Sequence, residues 1–176
     1  MILVWVFSAL ITVVSAAEKS ITVEGQRIRL DIPKTWQTVK NPLGLSLVVA
    51  GPYERGKKRA ILSLVPTTVQ GVSFDSKALS KEQEAYQKGR TEWVKKYRGN
   101  VLEFFPYQFK STQLVHEVHA FGYRYQLGSK NFEERTLYLI CGPENRLFHI
   151  KTLFPEEAKP EQKKQMEKIV GSFKCG

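Results

Sequence analysis

The sequence predicts an α+β fold, an antiparallel β-sheet packed with a long central helix and a C-terminal helix. Three observations carry this. Apolar and polar residues alternate from Ile21 to Ile32 and from Phe121 to Leu127, the period of half-buried strands. Between Ser76 and Arg98 the apolar spacing changes to three and four residues, and a second helical pattern closes the chain after Lys159. With 176 residues, 42% of them hydrophobic and 25% charged, the chain can bury a core of its own as one domain.

Ile21, Val23, Ile28, Leu30 and Ile32 alternate on either side of Glu24-Gly25 and read as a hairpin that Pro33 ends. Pro33-Lys34-Thr35-Trp36 is a turn that returns an aromatic ring to the core. Leu43 to Ala50 and Ala60 to Val65 are apolar enough to be central strands, and the nine residues from Gly51 to Arg59 join them. The long helix has Leu79, Glu82, Ala85, Tyr86, Gly89, Trp93, Val94 and Tyr97 at helical spacing, Asp75 or Ser76 as N-cap, and Gly99 just past its end. Gly89 costs ~1 kcal/mol in a helix, which would mark close approach to the sheet. Strands follow at 101–109, 112–127, 131–141 and 146–154. Phe121, Tyr123, Tyr125 and Leu127 share one face, opposite Gly122, Arg124 and Gln126. The turns Gly128-Ser129-Lys130-Asn131 and Gly142-Pro143-Glu144-Asn145 make these strands an antiparallel meander. The last helix, from about Lys159 to Phe173, has Pro160 in its first turn and Met166, Ile169, Val170 and Phe173 inward.

Met1 to Ala17 carries no charged side chain and ends in small residues, which reads as a secretory signal cleaved after Ala16 or Ala17. The domain is then 18–176, exported and either periplasmic or secreted. An uncleaved anchor is the other reading, since no Lys or Arg precedes the apolar run. Cys141 and Cys175 are an even count in an export context and predict a disulfide; two buried or frayed thiols are the alternative.

Chemistry-bearing residues are sparse. The chain has two aspartates, Asp31 and Asp75, and three histidines, His116, His119 and His149. His116-Glu117-Val118-His119 is one residue short of the zinc motif H-E-x-x-H and lies in a strand pattern, which points the two rings to opposite faces. No metal is expected there, and the histidines read as solvent-facing or partly buried. A carboxylate pair, for example Glu117 with Glu133 across neighbouring strands, is conceivable, although glutamate on a strand is ordinarily water-facing surface. No nucleophile elbow, phosphate loop or dinucleotide fingerprint occurs, so no cofactor is expected.

Charge is the stronger signal. The formal net charge is +10, and residues 50–99 contribute +6 of it, from 11 basic and 5 acidic side chains. Arg55, Lys57, Lys58 and Arg59 cluster in the loop between the two apolar strands, and Lys88 and Lys95 extend a second basic face along the helix. A solvated basic face is the bland reading. The functional one is recognition of an acidic protein or an anionic envelope component; nucleic acid is disfavoured for an exported chain whose aromatics read as core.

The order of these elements, with Ile32-Pro33-Lys34-Thr35-Trp36 after the first strand pair and Ser172-Phe173-Lys174 after the last helix, resembles the PsbP/Mog1/DcrB-like proteins over most of residues 20–175. The resemblance implies a non-enzymatic α/β/α sandwich used for binding or assembly, with no catalytic residues common to the family. The leading expectation is an exported, non-catalytic binding or assembly module of the cell envelope. An inhibitor or immunity-type protein against a secreted enzyme, and an enzyme with an unrecognised site, are the alternatives.

Overall fold

The structure is a computed structural model and describes residues 16–23, 26–40, 45, 47–66, 82–111, 117–141 and 146–176. Most of the predicted signal, the cap at Asp75 or Ser76, Leu79, His116 and two turns, Glu24-Gly25 and Gly142 to Asn145, lie outside these residues. The strands are β1 (Ala16–Val23), β2 (Gln26–Pro33), β3 (Gln37–Lys40), β4 (Leu47–Ala50), β5 (Ile61–Pro66), β6 (Gly99–Lys110), β7 (Glu117–Leu127), β8 (Lys130–Cys141), β9 (Arg146–Pro155) and β10 (Lys174–Cys175). The helices are α1 (Gln83–Lys96) and α2 (Pro160–Gly171).

Seven strands form one antiparallel sheet in the order β3-β4-β5-β9-β8-β7-β6, and β1, β2 and β10 form a second. The predicted meander is therefore β6 to β9, with β9 rather than β4 or β5 at the centre. The hairpin register pairs Ile21 with Ile28 and runs back to Ala16, opposite Pro33. Ile28, Leu30 and Ile32 are buried.

Pleating gives the large sheet two faces. One carries Phe121, Tyr123 and Tyr125 of β7 beside Thr136, Glu134 and Phe132 of β8, and α1 covers it with Tyr86, Trp93 and Val94. The other carries Leu62, Leu64, Leu139 and Ile150, and is covered by Met166 and Ile169 of α2 with the β2 side chains and Phe173. That is an α/β/α sandwich. Trp36 sits in the second core, its backbone closing a turn onto Pro33 (2.9 Å) and its indole Nε1 donating to Gln165 Oε1 of α2 (2.7 Å). Ser172 Oγ accepts from the Asp31 N–H (2.8 Å) and donates to the Ile169 carbonyl (2.7 Å). The Ile32 to Trp36 element and the Ser172-Phe173-Lys174 element are thus the stitches between the small sheet and α2. Lys174 and Cys175 add to β2 as its third strand, and Cys175 is bridged to Cys141 with a Cα separation of 5.9 Å, a spacing an unstrained bridge accepts.

Several expectations need correction. The central helix opens at Gln83, with Glu82 in the cap position and no side-chain cap, so its described length is 14 residues. Its inner face is Tyr86, Arg90, Trp93 and Val94; Glu82, Ala85, Gly89 and Tyr97 are exposed. A Cβ on Gly89 would meet nothing within 4 Å, so that glycine marks no close approach. Gly99 does. The left-handed position after α1 is taken by Arg98 (φ 57°), whereas a Cβ on Gly99 would strike Gln126 O and lie 2.5 Å from Leu127 Cδ2. β6, an edge strand of 12 residues, is broken by two register shifts around Leu102 and around Pro106-Tyr107, which blunt it against edge-to-edge pairing.

Replacing both Cys141 and Cys175 by Ala should lower the unfolding free energy in urea by about 3 to 4 kcal/mol, since the bridge closes a span of 34 residues. Peptide mapping that finds both thiols free in the protein from its native host would contradict the bridge. Gly89→Ala should stabilise by about 1 kcal/mol, whereas Gly99→Ala should cost about 1 to 3 kcal/mol by overpacking; equal effects in urea titrations would refute the distinction.

Candidate functional site

The β4–β5 loop is built on its neck. Gly51 N–H donates to the Ala60 carbonyl (2.8 Å), and the buried Gln162 of α2 clamps both sides, its Oε1 accepting from Ala60 N–H (3.3 Å) and its Nε2 donating to the Pro52 carbonyl (3.4 Å). A side chain at residue 51 would collide with that amide, which is why a glycine stands there. At the tip, Lys57 N–H donates to the Glu54 carbonyl (3.1 Å) with Gly56 at φ 76°, the third position of a turn that needs a left-handed residue.

The predicted cations all stand on this frame. Arg55, Lys57 and Lys58 are exposed. Arg59 is half-buried and donates to Gln37 Oε1 (2.7 Å), with its guanidinium 5.8 Å from the ring of Tyr53, itself 69% exposed. The Lys58 ammonium lies 4.7 Å from the Phe132 ring, and the Lys58 backbone N–H donates to Glu157 Oε1 (3.2 Å). Two cations absent from the sequence expectation join the group. Lys159 pairs with Glu54 (3.3 Å) beside Lys57 (3.5 Å), and Lys130 pairs with Glu157 (3.3 Å). Desolvation pushes the Glu54 carboxyl up, but Lys159 and Lys57 outweigh it and hold the group below its ordinary range. Glu157 is held low first by the Lys58 N–H and then by Lys130. The surface therefore gathers Arg55, Lys57, Lys58, Arg59, Lys130 and Lys159 around Glu54, Glu156 and Glu157. Lys88 and Lys95 are exposed on α1, and no described contact joins them to this loop.

The histidines and carboxylates do not assemble into a reacting site. His119 is fully buried rather than water-facing, and both its ring nitrogens are engaged: Nε2 with Glu117 Oε2 (3.0 Å) and Nδ1 with the Tyr107 hydroxyl (2.6 Å). The tautomer with its proton on Nε2 donates to the carboxylate and leaves Nδ1 to accept from the phenolic hydroxyl. His149, desolvated and facing Lys151 and Arg90, has its pKa lowered to about 4 and is neutral at physiological pH. Glu117 pairs with Ile140 in the β7–β8 register and Glu133 with Arg124, seven positions along β8 and about 24 Å apart, so the proposed carboxylate pair does not exist. No cluster of three or more His, Cys, Asp or Glu that could hold a metal occurs among the described residues.

Glu133, which the sequence offered as half of a carboxylate pair or as water-facing surface, is instead buried beside Glu134, and both are structural. Adjacent on β8, they point to opposite faces and both are 8% exposed. Glu134 meets Arg90 of α1 (3.5 Å) and Lys151 of β9 (3.4 Å), tying α1 to the sheet. Glu133 meets Lys163 of α2 (2.6 Å), Arg135 (2.9 Å) and Arg124 (3.6 Å). Desolvation raises the Glu133 carboxyl, but Lys163 and Arg135 prevail and its pKa is lowered.

Beside Glu133 a cleft of about 350 Å³ opens between α2 and the β6–β7 half of the sheet. The α2 side contributes Met166 and Val170; the sheet side contributes Val118, Ala120, Leu137 and Leu139. The short Ala120 side chain at an inward β7 position lines this gap, whereas Gly122, the next inward position, lines only the recess beyond it, where a Cβ would press on Phe105 and Arg135. Past Arg135 this smaller recess of about 160 Å³ continues towards Phe105 and Pro106. Nothing in the sequence announces this cleft except the small residues on one face of β7.

No family model and no curated protein matches the chain. Solved structures do. The cyanobacterial PsbP protein (CyanoP) of Synechocystis superposes with a TM-score of 0.54 at 12% identity, covering 96% of each chain. LpqN of Mycobacterium tuberculosis, described as involved in cell envelope biogenesis, gives 0.47 at 12% identity over 90% of each chain. The Ran-binding protein Mog1p of Saccharomyces cerevisiae gives 0.46 at 12% identity over 90% of this chain and 95% of that one. Among the described residues no helix is long and apolar enough to cross a membrane. The likeness is one of fold, and the chain has the PsbP/Mog1-like α+β sandwich.

Proposed function

We propose that this chain is an exported, non-catalytic binding or assembly module of the cell envelope, and that it recognises a protein with an acidic face through the β4–β5 loop. The single observation behind this reading is the combination at that loop: exposed cations on a backbone clamped by Gln162, around an exposed Tyr53. Tyrosine and arginine are the residue types that carry binding energy at protein interfaces, and a loop held at its neck loses little entropy on docking. A connection between two adjacent strands needs only a few residues and no cluster of like charges. Six cations against three carboxylates leave a positive excess for a partner to neutralise. The engaged ring nitrogens of His119 and the separation of Glu117 from Glu133 support a non-catalytic role.

Changing Arg55, Lys57, Lys58 and Arg59 together to Gln should lower the thermal midpoint by no more than about 4 °C, because three of the four are exposed charges that contribute little to folding and the half-buried Arg59 gives up its bond to Gln37. It should reduce capture of the partner from an envelope fraction several-fold, mostly through the association rate. Wild-type capture should itself fall steeply between low and moderate salt, as screening over ~10 Å at 0.1 M requires. Equal capture by the variant at low salt would sink the proposal. Recovery of an anionic glycan or lipid in place of a protein would replace the partner class, and recovery of a secreted enzyme would identify the inhibitor reading.

A further inference from the structure

We infer that the cleft between α2 and the β6–β7 half of the sheet is a binding site for a small amphiphile with one anionic head, of the medium-chain fatty carboxylate class. Its volume of about 350 Å³ lies within the ~300 to 1,000 Å³ of small-molecule sites. Along the inward face of β8 the lining grades from charged to apolar: Glu133, Arg135, Leu137, Leu139. From Arg135 to Leu139 is about 13 Å of extended strand. Val118, Ala120 and Val170 are half-buried walls of the apolar end, and Val118 and Val170 pack against the core yet are incompletely covered.

The cleft lining carries Lys110, Arg135 and Lys163 against Glu133 and Glu167, which leaves it net positive. Glu133 is already engaged by Lys163, Arg135 and Arg124, so its charge is met three times over. Arg135 bonds Glu133 through Nε, and its guanidinium packs 5.2 Å from the Phe105 ring, which fixes its plane. Arg135 lines both the larger cleft and the smaller recess, and no hydrogen bond among the described residues uses its two Nη groups. A planar carboxylate can be held there by two parallel N–H donors. Lys110 adds a further positive charge to the rim. A neutral amphiphile would fill the apolar end but leave this guanidinium unmatched; a dianionic or bulky head would meet the Glu133 carboxylate.

The test is calorimetric titration of the full-length exported protein with sodium decanoate, below its micelle concentration, and with decan-1-ol. We expect saturable one-to-one binding of decanoate at least tenfold tighter than of decanol. Arg135→Gln should erase that tenfold preference and leave decanol binding unchanged. Ala120→Phe and, independently, Val170→Phe should abolish binding of both ligands while the circular dichroism and thermal midpoint report a folded protein. The quadruple loop variant should bind decanoate as the wild type does, which separates this site from the loop. Equal affinities for the two ligands, undiminished binding by both folded filling variants, loss of binding in the loop variant, or adsorption to anionic vesicles alone would each overturn the assignment.

Discussion

Strand β8 is buried on both faces, and the rest of the molecule follows from having to cover it twice. Phe132, Glu133 and Glu134 are consecutive and all nearly inaccessible, so neither face of the sheet can be left to water. Burial of apolar area at roughly 25 cal/mol per Å² makes each covering layer favourable, and each buried carboxylate then demands cations from the layer that covers it. α1 brings Arg90 to Glu134, and α2 brings Lys163 to Glu133. Ion pairs this buried contribute less to net stability than to choosing which helix sits over which face.

The two candidate recognition surfaces are by-products of how α2 meets that demand. Its first turn reaches Gln162 to the neck of the β4–β5 loop and Lys159 to Glu54, so the helix that roofs the core also gives the loop its shape. Farther along, α2 is drawn towards the β2 side chains and Phe173, leaving the small residues on β7 without a roof. The Cys141–Cys175 bridge fastens this arrangement by joining the last strand of the small sheet to the end of β8. Loop and cleft thus both border α2.

Much of the fold was legible because the signals are local. Alternation around Phe121 to Leu127, the proline after Ile32, and Pro160 at a helix start are each read within a few residues, and each is where it was expected. The separate small sheet was not legible, since its third strand is only Lys174 and Cys175 and a two-residue strand has no period. The helix face at Gly89 misled because apolar spacing in a helix says nothing of which stripe the sheet will meet. The burial of Glu133 and Glu134 was not legible, because their partners Arg90, Lys151 and Lys163 come from three other elements. The basic loop was visible as charge density; Lys130, Lys159 and the clamp by Gln162 required the fold.

The proposal that the loop around Tyr53 carries recognition is tested most directly by site-directed photo-crosslinking in the native host. A photoreactive phenylalanine analogue would replace Tyr53 in one strain and the exposed Leu102 of the β6 edge in another. The account predicts one discrete protein adduct at position 53, acidic in composition and lost as salt is raised, with none at position 102. An adduct at position 102 with none at position 53 would contradict it and move the recognition surface to the sheet edge.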